Sequence, residues 1–207
     1  MALFKKTLSA VKDFSTAMKT AHETHATAKE KILANYIGRM MGEKLGEINA
    51  VLQAVETEQK AALRKVLEED FASAKEQINS KAVADAPGDF ISTLEAIKTL
   101  GSNMTDYEIK AYLEKYRSSY IAARAIAEEM GKHKNRSGQF TIIRPDQIAQ
   151  DVDKVHGQLK NWIQTWTPNS YMSRLMVADT NILTGLDDRV QEWLDGGFVR
   201  IVVHGTN

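Results

Sequence analysis

Apolar and small side chains recur along residues 8–66 in alternating steps of three and four. This spacing is that of one face of an α-helix, and it persists far longer than in an ordinary globular helix. Proline is absent until Pro87. We therefore expect residues 3–80 to form one very long helix, or two long helices that meet near residues 34–42. The positions of this seam are Val11, Phe14, Met18, Ala21, His25, Ala28 and Ile32, then Met41, Leu45, Ile48, Leu52, Val55, Gln59, Ala62 and Val66.

The helical period is lost over residues 80–89, a stretch that ends in Pro87, Gly88 and Asp89. Adjacent proline and glycine are strong signals of a turn or loop. The sequence thus predicts two regions: a long helical arm or hairpin over residues 1–84, and a compact helical domain over residues 85–207.

The second region contains four predicted helices. Thr105 and Glu108 have the spacing of a capping box, in which each residue bonds the backbone of the other at a helix start. Gly131 is expected to end that helix. The four predicted helices cover about 89–101, 105–131, 145–166 and 170–194.

Two short stretches rich in β-branched and aromatic residues predict strands at about 139–144 and 198–203. A pair of strands is marginally stable in water. The strands should therefore pack on a helix or be extended by a strand from another chain. The expected fold class is mainly α, with a small two-stranded β element.

Six small residues fall at every fourth position inside the predicted N-terminal helices. A glycine in a helix interior costs about 1 kcal/mol relative to alanine. The presence of three glycines in this helical stretch suggests that a neighbouring helix approaches more closely than a larger side chain would permit. The neighbour is either the chain's own hairpin or a helix of another copy. The stripe consists of Ala34, Gly38, Gly42, Gly46, Ala50 and Ala54.

Composition narrows the choice of function. The chain of 207 residues has 27 basic and 27 acidic side chains, so it lacks the positive charge of a general nucleic-acid coat protein. Cysteine is absent, which excludes disulfides and cysteine nucleophiles. No apolar run is long enough to cross a membrane or to act as a secretory signal. We expect a cytoplasmic protein, located in the host cytoplasm or the virion if the source is viral.

No motif in the sequence predicts catalysis. His22 and His25 are three residues apart, whereas the zinc-protease motif requires two histidines four apart. Asp153 and His156 match half of a di-metal motif, but a second copy is missing. Phosphate-binding glycine loops and nucleophile elbows are also missing from the sequence. We expect no enzyme activity, no cofactor and no metal.

Aromatic and basic residues suggest a partner-binding ridge on the predicted helix 105–131. Tyr112, Tyr116 and Tyr120 are spaced by four, with Arg117 and Arg124 beside them. Tyrosine and arginine are enriched at protein interfaces. A half-buried helix face would explain the same pattern.

A local basic cluster follows that helix. Lys132, Lys134 and Arg136 lie in a predicted loop, with Arg144 close by in sequence. Such a loop could contact an anion or a phosphate backbone. Exposure to solvent alone would also account for its charges.

The sequence therefore favours a non-enzymatic structural or protein-interaction protein that forms a homo-oligomer or docks on a partner through its long amphipathic helices. Small helical proteins without motifs are frequent among bacteriophage virion and accessory proteins, so a phage assembly component is one expectation. The alternative is a nucleic-acid-associated or regulatory protein that uses the loop from Lys132 to Arg144.

Overall fold

The computed structural model describes residues 3–133, 136–168 and 181–202. These residues form a mainly α-helical protein with one small antiparallel sheet, which confirms the expected fold class. The first part of the helix predicted at 170–194, residues 170–180, lies outside the described residues. In chain order, the described elements are α1 Lys5–Asn35, α2 Gly38–Ala82, α3 Phe90–Leu100, α4 Asp106–Lys115, α5 Tyr120–Gly131, β1 Phe140–Ile142, α6 Pro145–Thr165, α7 Asn181–Leu194 and β2 Val199–Ile201.

The N-terminal helices α1 and α2 form an antiparallel hairpin. His22 of α1 lies 2.8 Å from Glu56 of α2, measured from Nε2 to Oε1, and His25 Nε2 lies 2.8 Å from Asn49 Oδ1. Moving towards the end of α1 thus means moving back towards the start of α2. Only residues 36 and 37 separate the helices. The two-helix prediction and its meeting point near residues 34–42 are confirmed.

Two compact units can be distinguished. The first consists of Met1–Ala72 and Lys154–Gly185, and the second of Ser73–Asp153 and Leu186–Asn207. The chain passes from one unit to the other within α2, α6 and α7. The division that the sequence predicts, between residues 84 and 85, stays a prediction.

The first unit has its core where α1, the later part of α2 and the later part of α6 meet. Phe14 of α1 packs edge-on against Trp162 of α6, with ring centroids 5.5 Å apart. The first part of the seam predicted for α1 and the later part of that predicted for α6 are buried here, because apolar residues recur on one face of each helix. The buried residues of this core include Phe4, Val11, Phe14, Met18, Leu63, Leu67, Phe71, Val155, Leu159, Trp162, Ile163 and Trp166.

A buried carboxylate fixes the start of α1 in this core. The first turn of a helix leaves backbone N–H groups without an intrahelical partner. Phe4, at the N-cap, supplies no side-chain cap. Instead Asp70 of α2 accepts hydrogen bonds from the backbone N–H of Thr7 (2.9 Å) and from its hydroxyl (3.0 Å), and both residues are buried. The cap of α1 is therefore a tertiary contact that also sets the register of the hairpin.

In the second unit, the helix predicted over residues 105–131 is two helices. Its start is as expected, because Thr105 and Glu108 make both bonds of the capping box. The chain then turns at residues 116–119, and Ser119 caps α5 by accepting a hydrogen bond from the N–H of Ala122. The turn lets α5 fold back on α3 and α4. The core of these three helices contains Phe90, Ile97, Met104, Ile109, Tyr116, Ala122, Ile126 and Met130.

The two strands pair as the second unit's small sheet. Thr141 of β1 lies opposite Arg200 of β2 in an antiparallel register. The sheet packs on a helix, as the sequence predicts, because Phe198 lies edge-on to Tyr120 with centroids 5.5 Å apart. Trp193 joins this aromatic cluster and donates its indole N–H to the carbonyl of Ile143 at 2.9 Å. The predicted end of the second strand at residue 203 lies outside the described residues.

The turn before β2 contains a close backbone approach. Gly196 has φ +103°, and a Cβ built on it would lie 2.3 Å from the carbonyl oxygen of Arg117. Arg117 in turn donates from Nε and Nη2 to the carbonyl of Asp195 at 3.1 and 2.8 Å. A glycine is thus required at position 196 for both its backbone conformation and the space around it.

We expect Gly196→Ala to lower the free energy of unfolding by about 3 kcal/mol, because it adds a steric clash to an unfavourable φ. Gly138→Ala is the matched control. Gly138 also has a positive φ, +82°, but a Cβ there would meet nothing within 4 Å, so the expected loss is about 1 kcal/mol. Chemical denaturation measures both, and equal losses would contradict a steric role for the contact with Arg117.

We expect Asp70→Ala to lower the free energy of unfolding by about 2 kcal/mol, because the N–H and hydroxyl of Thr7 would lose their buried acceptor. Asp70→Asn retains one acceptor oxygen, and we expect it to lose less stability than Asp70→Ala. Thermal melts followed by circular dichroism measure the change. If Asp70→Ala melts at the wild-type temperature, the proposed tertiary cap is wrong.

Candidate interaction surface on the helical hairpin

The turn of the hairpin explains one of the three stripe glycines. Tyr36 ends α1 in an extended conformation and donates its backbone N–H to the carbonyl of Ile32 at 3.0 Å. Gly38, the first residue of α2, has φ +59°. Side-chain-bearing residues rarely adopt this conformation, so Gly38 permits the turn. The prediction that Gly38 lies in a helix interior is therefore wrong.

The small-residue stripe lies on the outside of the hairpin. All six of its residues are exposed, and a Cβ built on Gly38, Gly42 or Gly46 would meet nothing within 4 Å. The expectation that the stripe packs against the chain's own hairpin is therefore wrong. The helical seam, not the stripe, faces α1. A contact between the stripe and another copy of the chain stays a prediction. The six residues are Ala34, Gly38, Gly42, Gly46, Ala50 and Ala54.

The half of the hairpin near the turn, residues 19–62, has almost no core. We call it the distal hairpin. Within this fully described range, Ile32 is the only buried residue, and burial along α2 begins at Leu63. Apart from Ile32, the seam residues here are at most half-buried, because two helices alone cannot enclose an apolar seam. The distal hairpin therefore keeps apolar surface in contact with solvent.

Four large apolar side chains of the distal hairpin are more than half exposed. Ile37, in the turn itself, is 89% exposed. These residues lie outside the seam, and none of them was among the predicted site residues. Their exposure could have been predicted from the sequence, because an apolar residue that lies off the seam of a two-helix hairpin has no helix to pack against. They are Leu33, Ile37, Met40 and Val51.

Several charged residues of the distal hairpin are paired within their own helix. Arg39 lies 2.8 Å from Glu43, and Lys44 lies 2.8 Å from Glu47. The hydrogen bond that Lys44 donates to Glu47 raises the pKa of Lys44 above its usual value. Exposed pairs of this kind contribute little to stability. They do make the surface polar and close to neutral around the apolar side chains.

The predicted tyrosine ridge does not form a surface. Tyr116 and Tyr120 are buried, and the Tyr116 hydroxyl lies 2.7 Å from that of Thr93. The turn at residues 116–119 breaks the four-residue spacing and directs both rings into the core. Tyr112 is half-buried and packs against the same core. The prediction that Tyr116 and Tyr120 bind a partner is therefore wrong, and both tyrosines are part of the packed interior.

Arg117 and Arg124 are exposed, and each pairs with a carboxylate nearby. Arg117 donates from Nη1 to Glu114 at 2.8 Å, and Arg124 donates from Nε to Glu128 at 2.7 Å. These hydrogen bonds raise the pKa of both guanidinium groups. Contact of either arginine with a partner stays a prediction.

Only part of the predicted basic cluster is exposed in the structure. Arg136 is buried and donates to the carboxylate of Asp106 and to the carbonyl of Met104, so it stabilises the fold instead of facing a ligand. Lys132 is exposed and pairs with Glu129. Arg144 is exposed at the start of α6. Lys134 lies outside the described residues. Nucleic-acid binding stays a prediction from sequence, without Arg136.

The two histidine motifs serve helix packing. His22 and His25 bond Glu56 and Asn49 across the hairpin, as described above. His156 stacks on Phe71 with ring centroids 4.7 Å apart, while Asp153 pairs with Lys75. Among the residues that the structure describes, no group of three or more histidines and carboxylates is placed to hold a metal ion.

Comparison with protein-family models, with curated proteins and with solved structures found no match. Within the described part of the chain, no helix combines the length and the apolar character that a membrane span requires. Function must therefore be inferred from the surfaces of the protein itself.

We expect Gly42→Ala to raise the free energy of unfolding by about 1 kcal/mol, because Gly42 lies in an exposed helix interior with open space around it. Ala50→Gly, at another exposed position of α2, should lower it by about the same amount. Urea denaturation of both variants measures the changes. A loss of stability in Gly42→Ala would indicate that a backbone packs closely against this position after all.

Proposed function

We propose that this chain is a non-enzymatic interaction protein that self-assembles, or docks on a protein partner, through its distal hairpin. The observation that carries the proposal is the contrast in burial along the hairpin. Its base packs into an aromatic core, whereas its distal half has a single buried residue and four exposed large apolar ones among residues 19–62.

The physical reason is the energetics of helix pairs. Helical stability in proteins comes mainly from burying an apolar face, and two helices leave part of that face open to water. A third helix placed along the distal hairpin would cover Met40 and Val51. These residues are eleven apart on α2, so they fall on nearly the same line of the helix surface.

Self-assembly is tested by light scattering after size exclusion at several concentrations. We expect a defined oligomer above the 23.1 kDa of one chain. The double variant Met40→Glu/Val51→Glu should shift it towards the monomer, because the association would bury two charges. Ile91→Glu is the matched control, since Ile91 of α3 is 71% exposed but lies outside the hairpin.

A chain that stays monomeric at every concentration would contradict self-assembly, leaving docking on a different protein. Hydrogen exchange of that monomer then tests the remaining alternative. We expect backbone amides of the distal hairpin to exchange much faster than those of residues 63–71, which lie in the core. Equal protection would mean that the hairpin is stable without a partner, and would contradict the proposal.

The bacteriophage context stays a prediction based on general appearance. Nucleic-acid binding, the alternative from sequence, is tested separately by fluorescence anisotropy with DNA and RNA at two salt concentrations. A phosphate-driven complex weakens as salt rises, because binding releases counterions. Binding that ignores salt would exclude it.

A further inference from the structure

A second line of side chains runs along α2 beside the seam that faces α1. Its residues follow one another in steps of four, three and four, which is the spacing of the contact positions of a coiled coil. The line is displaced by one residue from the seam, so it is turned away from α1 by about 100°. All four of its side chains reach solvent. We call it the outer line, and it consists of Met40, Lys44, Glu47 and Val51.

The outer line is its own complement when two copies of α2 run antiparallel. A twofold axis through the midpoint of the line places Met40 opposite Val51 of the second copy. The same axis places Lys44 opposite Glu47 of the second copy. Each contact occurs twice, as in every isologous interface. Apolar side chains thus meet apolar ones, and each charge meets the opposite charge.

We propose that the distal hairpin binds a second copy of this chain in this arrangement, with the outer lines of the two α2 helices packed antiparallel. The inference rests on the proposed function, because it names the partner of the same hairpin and the register of binding. Since α2 begins at Gly38, which this register places opposite Gln53 of the second copy, the contact is about 24 Å long. So short a contact suits a dimer that dissociates on dilution.

The charges determine the direction and the register of the pair. In a parallel, in-register pair, each Lys44 and each Glu47 would face its own copy, and like charges in contact are unfavourable. An antiparallel pair displaced by one heptad would set Lys44 against Met40 of the second copy, or Glu47 against Val51 of the second copy. A charge against an apolar side chain loses its hydration without compensation. Polar contact positions of this kind specify register in coiled coils.

The ion pair that Lys44 already forms within α2 is compatible with the second copy. Lys44 Nζ donates to Glu47 Oε1 at 3.0 Å and to Oε2 at 2.8 Å. An ammonium group has three donors, and a carboxylate has about four acceptor positions. Because both groups keep unused capacity, two lysines and two glutamates can alternate around the twofold axis without breaking either existing pair.

Charge reversal tests the pairing, with the monomer–dimer equilibrium of the full chain measured by sedimentation at several concentrations. Lys44→Glu should weaken the dimer at least about tenfold, because Glu47 of the second copy would face a like charge. The double variant Lys44→Glu/Glu47→Lys should restore it, because opposite charges meet again. Arg39→Glu is the matched control. It also breaks an exposed ion pair, with Glu43, but Arg39 lies about 110° around α2 from the outer line.

Disulfide trapping tests the direction, and the chain suits it because it has no cysteine of its own. Met40→Cys and Val51→Cys chains are mixed and oxidised, and intact masses identify the products. We expect a mixed disulfide between the two variants. Either variant alone should give little product, because two copies of position 40 would lie about 16 Å apart along the helices. A disulfide requires Cα atoms within about 7 Å.

The outcomes separate this inference from the proposed function. A chain that is monomeric at every concentration overturns the inference and leaves docking on a different protein for the hairpin. If the double variant of Met40 and Val51 dissociates the oligomer while Lys44→Glu behaves like its control, the hairpin assembles and the register is wrong. The register is also wrong if no mixed disulfide forms, or if one cysteine variant alone is trapped as readily as the mixture.

Discussion

The hydrogen bonds from Thr7 to Asp70 determine how the first unit is built. A helix as long as α2 could pair with α1 in several registers, because a seam of three- and four-residue steps repeats along both. The buried carboxylate has partners in only one register, and leaving it without them would be costly. That register brings Phe4 onto Phe71, with ring centroids 4.7 Å apart, and His22 onto Glu56. It also places the turn, residues 36 and 37, at the end of the hairpin opposite the aromatic core.

Features that depend on local chemistry could be predicted from the sequence. The seams of α1 and α6, the capping box at Thr105 and the start of α6 at Pro145 all follow from residues within one or two helical turns. The break between α4 and α5 could not be predicted. Its residues, 116–119, contain neither proline nor glycine, and the break is maintained by burial of Tyr116 and by the cap from Ser119. The same limit applies along α2, where the buried positions shift from the predicted Ala62 and Val66 to Leu63 and Leu67 as α2 enters the core.

The glycines illustrate why regular spacing in the sequence is weak evidence for close packing of helices. Glycines spaced by four predict a close approach only if another backbone lies on that side of the helix, and spacing carries no information about that. Gly42 and Gly46 have open space around them, whereas Gly101, which belongs to no stripe, would place a Cβ 2.3 Å from His133 Nε2. Among the described glycines, those with a close backbone or side-chain neighbour thus lie at turns and helix ends, where the path of the backbone requires it.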